Sequence, residues 1–471
     1  MPFHSFGYLL LFLPVVAAGN AALDRHAGRR FAQAWLLGAS LFFYVYAEPR
    51  HAPLLAGSIV FNWLIARGMT RQREERRRAW ILRAGLAANI AFLCTFKYAN
   101  FFLRAMTPLG LHWELPDWGF PLGVSFFTLT QVMYLVDTYQ GLNDAYSLFD
   151  HATLVALFPY VASGPLVRAR SVIPQFRRFA FPENRLDLAC RGFYLLAVGL
   201  AKKVVLADSF AAIADVGFGS ARNFSTAEAW VFSLAYTFQI YFDFSGYSDM
   251  AVGSAWMLGI DIPQNFNAPF RSKSISEFWQ RWHISLSNFI TNYLYTPMLR
   301  SMGRASLGTS TIAILLAMAI AGLWHGPAWT FIVFGVLHGA GLAVNQFWRK
   351  RKYKMPGWLG VALTFGFVNI TFVFFRSPGI GPALHLLSRM LPHANLFGVA
   401  ALKGVVPFSP TLLLRPVSVG VAAAFLFQTS AELAKAFRPN LSTAGATAAL
   451  ILVSLFFMNS TVVKQFVYFA F

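Results

Sequence analysis

The sequence predicts an all-α, polytopic integral membrane protein, and three observations carry that prediction. Of its 471 residues, 57% are hydrophobic and 12% charged, with a mean hydropathy of +0.52. Soluble domains carry about a quarter charged residues and cannot hide this much apolar surface. The 49 Phe and 13 Trp suit lipid-facing surfaces and interfacial belts. The apolar runs are long and unbroken, which argues against the short alternating segments of a membrane β-barrel.

A helical span needs about 20 apolar residues, and on that measure the chain holds about 11–13 spans plus interfacial or re-entrant helices. The first lies at 5–22. It has no basic n-region and no A-x-A pattern, so it is expected to be retained and not cleaved as a signal peptide. Further runs follow at 32–47, 52–67, 80–96, 119–139, 188–207 and 228–260, the last long enough to bend. The remainder are 309–325, 328–347, 357–375, 412–428 and 443–458. The stretch 103–123 mixes Pro, Gly, Trp and acids, as an interfacial or re-entrant connection does.

From Ser274 to about Arg300, apolar residues recur at three- and four-residue spacing, from Ile275 and Phe278 to Tyr293 and Leu294. Gln280, His283, Ser287, Asn288 and Thr291 take the opposite face. Ser274-Ile275-Ser276-Glu277 has capping-box spacing. An amphipathic helix, in the interface or lining an internal cavity, is expected here.

The net charge of +20 is not a nucleic-acid signature, because the cations sit in short loops between spans. Residues 67–83 hold seven arginines and 349–354 hold five cations. The positive-inside rule and anionic headgroups of membrane lipids account for them. The basic loops after the first and third spans fall on one side, which predicts an external N-terminus. Cys94 and Cys190 form no metal spacing and no disulfide framework, and no metal site is expected.

Chemistry concentrates in the second half. "GLWHGPAWTFIVFGVLHG" (322–339) places His325 and His338 in an apolar setting. Thirteen residues apart on one helix they would be ~140° apart in azimuth and ~20 Å apart along the axis, which excludes a two-histidine metal site on one face. Gly326-Pro327 marks a break directly after His325. His338 reads as a neutral histidine bonded across helices, whereas His325 at the break is the candidate general base. An imidazole's ordinary pKa near 6.5 suits taking a proton from an attacking hydroxyl. "FQIYFDFSGYSDMAVG" (238–253) buries Asp243 and Asp249, for which Arg271, Lys273 or Arg281 are the expected partners. "FPYVASGPLVRARSVIPQFRR" (158–178) leads into Arg168, Arg170, Arg177 and Arg178, which suit either the phosphates of a nucleotide-like ligand or lipid headgroups. The Walker, zincin and serine-hydrolase motifs are absent.

These stretches, together with "NFNAPFRSKSISEFWQRWHISLS" (265–287) and "FPLGVSFFTLTQVMYLVDTY" (120–139), resemble the core of the membrane-bound O-acyltransferase family. The likeness covers roughly 119–345 of a chain read as a single membrane-embedded acyltransferase domain, 1–471. It is nearest the bacterial branch that includes alginate, cellulose and peptidoglycan acetylation proteins, with teichoic-acid D-alanylation proteins further off. The resemblance implies a helical bundle with a central funnel, His325 as principal catalytic residue and His283 as the second. It also implies acetyl-CoA as cytosolic co-substrate with no permanently bound cofactor, and location in a bacterial inner membrane. The expected partners are a periplasmic acetyltransferase and a polysaccharide synthase complex. Arg168 and Arg170 are the expected contacts of the donor's phosphates. The sequence departs from the alginate-type pattern after "RWHISLS", where Asn292 stands in place of an acid. D-alanyl or longer-acyl transfer, and a transporter or flippase without covalent chemistry, are the alternative readings.

Overall fold

The computed structural model describes the chain except residues 111, 112, 117, 178–184, 220–222, 305, 393, 397, 399–409, 461, 462 and 468–471. Among the described residues every regular element is helical. Seven helices of the described residues are long and apolar enough to cross a membrane. The other expected spans are helical as well, among them Arg29–Ala47, Val124–Tyr139 and the 32-residue helix Thr226–Met257.

The chain divides into two compact units, one of Met1–Leu196 with Ser248–Pro263, the other of Ala197–Tyr247 with Gln264–Phe471. In the first, α1 (Gly7–His26) packs on α2 (Arg29–Ala47), with Trp35 Nε1–H donating to the Val16 carbonyl at 3.0 Å. Helices α3 (Ala52–Arg71), α4 (Glu75–Lys97) and α5 (Val124–Tyr139) lie against one another. Their polar residues pair internally, Asn62 with Asn89 at 2.7 Å and Gln131 with Ser58 at 3.4 Å. Such pairing is required where neither water nor lipid can satisfy an amide. Gly192 and Gly253 meet backbone to backbone, and a Cβ on either would lie 2.5 Å from the other's carbonyl oxygen.

α6 (Leu148–Ala156) and α7 (Ala169–Arg177) complete the elements of this unit that matter below. Asp150 on α6 accepts from Arg177 (2.7 Å), Gln33 (3.1 Å) and Ser147 (2.8 Å). Burial pushes the Asp150 carboxyl up, but these hydrogen bonds outweigh it and hold the group below the ordinary carboxylate range.

The second unit carries α8 (Asp208–Gly219), the first part of α9 (Thr226–Met257), and two short helices, α10 (Ile275–Arg281) and α11 (Ile284–Phe289). It also holds α12 (Leu307–His325), α13 (Trp329–Lys350), α14 (Gly357–Arg376) and α15 (Leu441–Ser460). Helices α12 and α13 form a hairpin closed by residues 326–328. Glycines let the two backbones touch: a Cβ on Gly322 would sit 2.2 Å from the Phe331 carbonyl oxygen, and one on Gly335 would sit 2.2 Å from that of Met318. This is the small-residue packing expected in hydrocarbon, where helix association depends on close contact.

Candidate active site

His325 is the last residue of α12 and is 4% exposed. Gly326 after it is extended (φ −172°, ψ 156°), so the helix stops there. A side chain at Gly326 could not be accommodated, since its Cβ would lie 2.2 Å from the Phe331 ring. The imidazole is walled by aromatic rings, with centroids of Phe375 at 5.0 Å, Trp324 at 5.1 Å and Phe334 at 6.1 Å.

His283 is fully buried against the same indole, 6.3 Å from Trp324 and 4.6 Å edge-on to Phe244. The amphipathic segment expected as one helix is in fact broken at this residue. His283 adopts left-handed backbone angles (φ 43°, ψ 54°) between α10 and α11. Non-glycine residues take that conformation seldom and only where surroundings impose it. Asn265 imposes it here: its carbonyl accepts from Ile284 N–H (3.0 Å), and its Oδ1 accepts from Ser285 N–H (3.1 Å) and Oγ–H (2.7 Å). The Asn267 N–H donates to the Arg281 carbonyl at 3.0 Å.

The break also corrects the expected facing of His283. Gln280, Ser287, Asn288 and Thr291 do line a cavity of about 690 Å³ together with α12 and α13, and Arg349 and Lys350 are at it. His283 is not among its lining residues, because the left-handed turn swings the ring away to Phe244 and Trp324. Trp279 connects the cavity to His338. It lines the cavity, and its Nε1–H donates to His338 Nδ1 at 3.2 Å.

His338 has both nitrogens engaged. With Nδ1 accepting, Nε2 carries the proton and donates to Thr371 Oγ1 (2.9 Å), whose own proton goes to the Val368 carbonyl (2.9 Å). This is the cross-helix bonded histidine of the sequence reading, and its fixed tautomer leaves no nitrogen for chemistry.

The buried acids differ from expectation. Asp243 pairs not with Arg271, Lys273 or Arg281 but with Lys203 (2.8 Å), which also holds Asp208 (2.8 Å). Arg281 is engaged one turn away by Glu277 (2.8 Å). The second Asp243 oxygen accepts from Val467 N–H at 2.7 Å, and Phe466 stacks on Tyr247 at 4.2 Å. The adjacent lysines in "GLAKKVVLAD" (199–208) were the available sequence signal for this triad. Lys203→Met would strand two buried carboxylates, and a loss of about 3–5 kcal/mol is expected for breaking a buried pair from one side. Thermal unfolding of the detergent-solubilised variant measures it.

Comparison with known proteins decides what such a site belongs to. Residues 66–378 match the family described as MBOAT, membrane-bound O-acyltransferase family. This chain is a member of that family. It is 38% identical over 420 residues to a peptidoglycan O-acetyltransferase of Helicobacter pylori, covering 82% of this chain and 78% of that protein. A probable alginate O-acetylase of Pseudomonas aeruginosa is 36% identical over 418 residues, covering 85% and 78%. A teichoic acid D-alanyltransferase of Bacillus subtilis is 26% identical over 395 residues, covering 79% and 97%. The chain is therefore a multi-pass membrane O-acyltransferase.

Within this O-acyltransferase, His325 and His283 are brought to one aromatic cluster of the second unit. Arg168 and Arg170 belong to the first unit, Arg168 half-buried just before α7 and Arg170 exposed on it. Arg177 is committed to Asp150, and Arg178 lies outside the described residues. Among the described residues no cluster of three or more His, Cys, Asp or Glu side chains could hold a metal.

Proposed function

We propose that this enzyme takes an acetyl group from cytosolic acetyl-CoA and passes it across the inner membrane for O-acetylation of an extracytoplasmic polysaccharide, alginate- or peptidoglycan-like. The observation that carries this reading is the setting of His325, an imidazole at a helix end, enclosed by aromatic rings and one indole away from a second histidine. In such a site the imidazole takes the proton of an attacking hydroxyl while the acyl carbon passes from thioester sulfur to oxygen. The proton then goes to the departing thiolate. Relatives named as O-acetylating enzymes are more similar to the chain than those named for D-alanyl transfer, which favours acetyl as the group moved. A periplasmic acetyltransferase and a polysaccharide synthase complex are its partners in this reading, and the N-terminus is periplasmic.

The arginine-rich 71–78 and the cationic 349–354 face the cytoplasm in this reading. The cavity bearing Arg349 and Lys350 is then the place for the donor's phosphates, held by charge-assisted hydrogen bonds. Arg168 and Arg170 are the competing pair. Neutralising Arg349 and Lys350 is expected to raise the KM for acetyl-CoA several-fold more than it lowers kcat, since such contacts exist before and during the chemical step. Donor titration of both double variants in inverted vesicles separates the pairs, because only the pair in contact shifts KM. The reading as a whole is tested by CoA release from purified protein supplied with acetyl-CoA and oligosaccharide. A flippase releases none, and that result would overturn it.

A further inference from the structure

The cavity of about 690 Å³ changes character along its length. Gln346 Nε2–H on α13 donates to Ser310 Oγ on α12 (2.8 Å), which also bonds to the Tyr295 hydroxyl (2.8 Å). Those contacts set three walls at one level. Arg349 and Lys350 lie beyond it, at the end of α13. In the other direction come Leu342 on α13, Met318 on α12 beside Gly339, and Ile284 at the start of α11. Trp279 belongs to that far end, because its indole bonds to His338, one turn past Leu342. One end of the cavity is therefore cationic and the other apolar.

The polar side chains between the ends divide into two kinds. Gln346 is bonded to Ser310, Thr291 Oγ1–H donates to the Ser287 carbonyl (2.9 Å), and Ser287 Oγ–H donates to the Trp282 carbonyl (3.1 Å). The carboxamides of Asn345 and Asn288 line the cavity with no hydrogen bond engaging them among the described residues. Asn345 is one turn inward from Arg349, and Asn288 is one turn outward from Ile284. Gln280, likewise uncommitted, adjoins Trp279 instead. A carboxamide offers an N–H donor and a C=O acceptor together, the complement of a secondary amide. The cavity thus suits a ligand that carries phosphate, then amides, then an apolar tip. The pantetheine arm of CoA has that order. At the bond count of an extended tetrapeptide it spans about 14 Å from phosphate to sulfur. The cavity runs about 12 Å along α13 from Lys350 to Leu342.

We propose that Asn345 and Asn288 are the residues that select the donor, by pairing with the two amides of its pantetheine arm. Asn345 takes the amide nearer the phosphates and Asn288 the one nearer the sulfur. The inference deepens the acetyl-CoA reading and rests on it. Arg349 and Lys350 alone would hold the phosphates of any nucleotide. A ligand without the amides leaves both carboxamides unpaired, and a site built to hydrogen-bond its substrate rejects analogues that lack the matching group.

The test titrates the full chain in nanodiscs with CoA, with pantetheine, and with the nucleotide half, 3′-phospho-ADP. Asn345→Leu and Asn288→Leu keep the side-chain bulk and remove both hydrogen-bonding groups. Each is expected to raise the Kd for CoA and for pantetheine about ten-fold, with the Kd for the nucleotide half unchanged. Neutralising Arg349 and Lys350 should do the reverse, weakening the nucleotide half and sparing pantetheine. A collapsed cavity would weaken all three probes together, so the crossed pattern separates lost contacts from misfolding. Three results overturn the pairing while leaving the acetyl-CoA reading standing. They are a wild type that binds CoA but not pantetheine, carboxamide variants whose pantetheine Kd stays within about two-fold of wild type, and variants that weaken the nucleotide half equally. A wild type that binds no CoA and releases none from acetyl-CoA overturns that reading, and the pairing with it.

Discussion

His325→Ala yields a folded, membrane-inserted protein whose acyl transfer is reduced on the order of 10²–10⁴-fold, the usual contribution of a general base. The fold should tolerate the change, because the residue closes α12 and is followed by an extended Gly326, so no helical turn depends on its side chain. His338→Ala gives the opposite pattern. It strips the acceptor from Trp279 Nε1–H and the donor from Thr371, with an expected loss of about 1–3 kcal/mol of stability. Its effect on transfer should be smaller than that of His325→Ala. Comparing polymer acetylation and thermal unfolding at matched abundance separates the two. Near-normal acetylation by the His325 variant would remove it from the chemistry.

The membrane helices were legible because hydropathy and helical period are local properties, and an apolar run of spanning length has few other solutions. The break after His325 was legible for the same reason, since Gly-Pro acts on its own neighbours. The break at His283 was not. Its segment keeps an uninterrupted three- and four-residue period, and the left-handed turn comes from Asn265, 18 residues earlier in the chain. Lys203 was missed for a related reason. Its partner Asp243 lies 40 residues on, and nearer cations on the Asp243 side offered themselves as partners. Ion pairs carry no local pattern, so nearness in sequence misleads. The contact of the Trp324 ring with both histidines is likewise a product of how α12 meets the segment before it, although "LWHG" put the indole next to His325 in plain view.

Gly335→Ala is expected to damage the enzyme out of proportion to one methyl group. In an exposed helix interior that substitution gains about 0.8–1 kcal/mol. Here the new Cβ would lie 2.2 Å from the Met318 carbonyl oxygen and 3.1 Å from Gly322 Cα. Both obstacles are backbone, so no side chain can swing aside, and α12 and α13 must separate. Overpacking of this kind costs about 1–3 kcal/mol. The larger effect is on the site, because the two helices are joined by three residues and α12 ends on His325. A shift of about 1 Å at a catalytic group can cost 10²-fold in rate. Gly366→Ala is the control, since its Cβ would meet nothing within 4 Å on α14 in the same unit. The expected result is transfer down about 10²-fold and a lowered unfolding midpoint for Gly335→Ala, against wild-type transfer and equal or higher stability for Gly366→Ala. Equal behaviour of the two variants would mean that the hairpin yields without moving His325, and that the glycine contact does not set the geometry of the site.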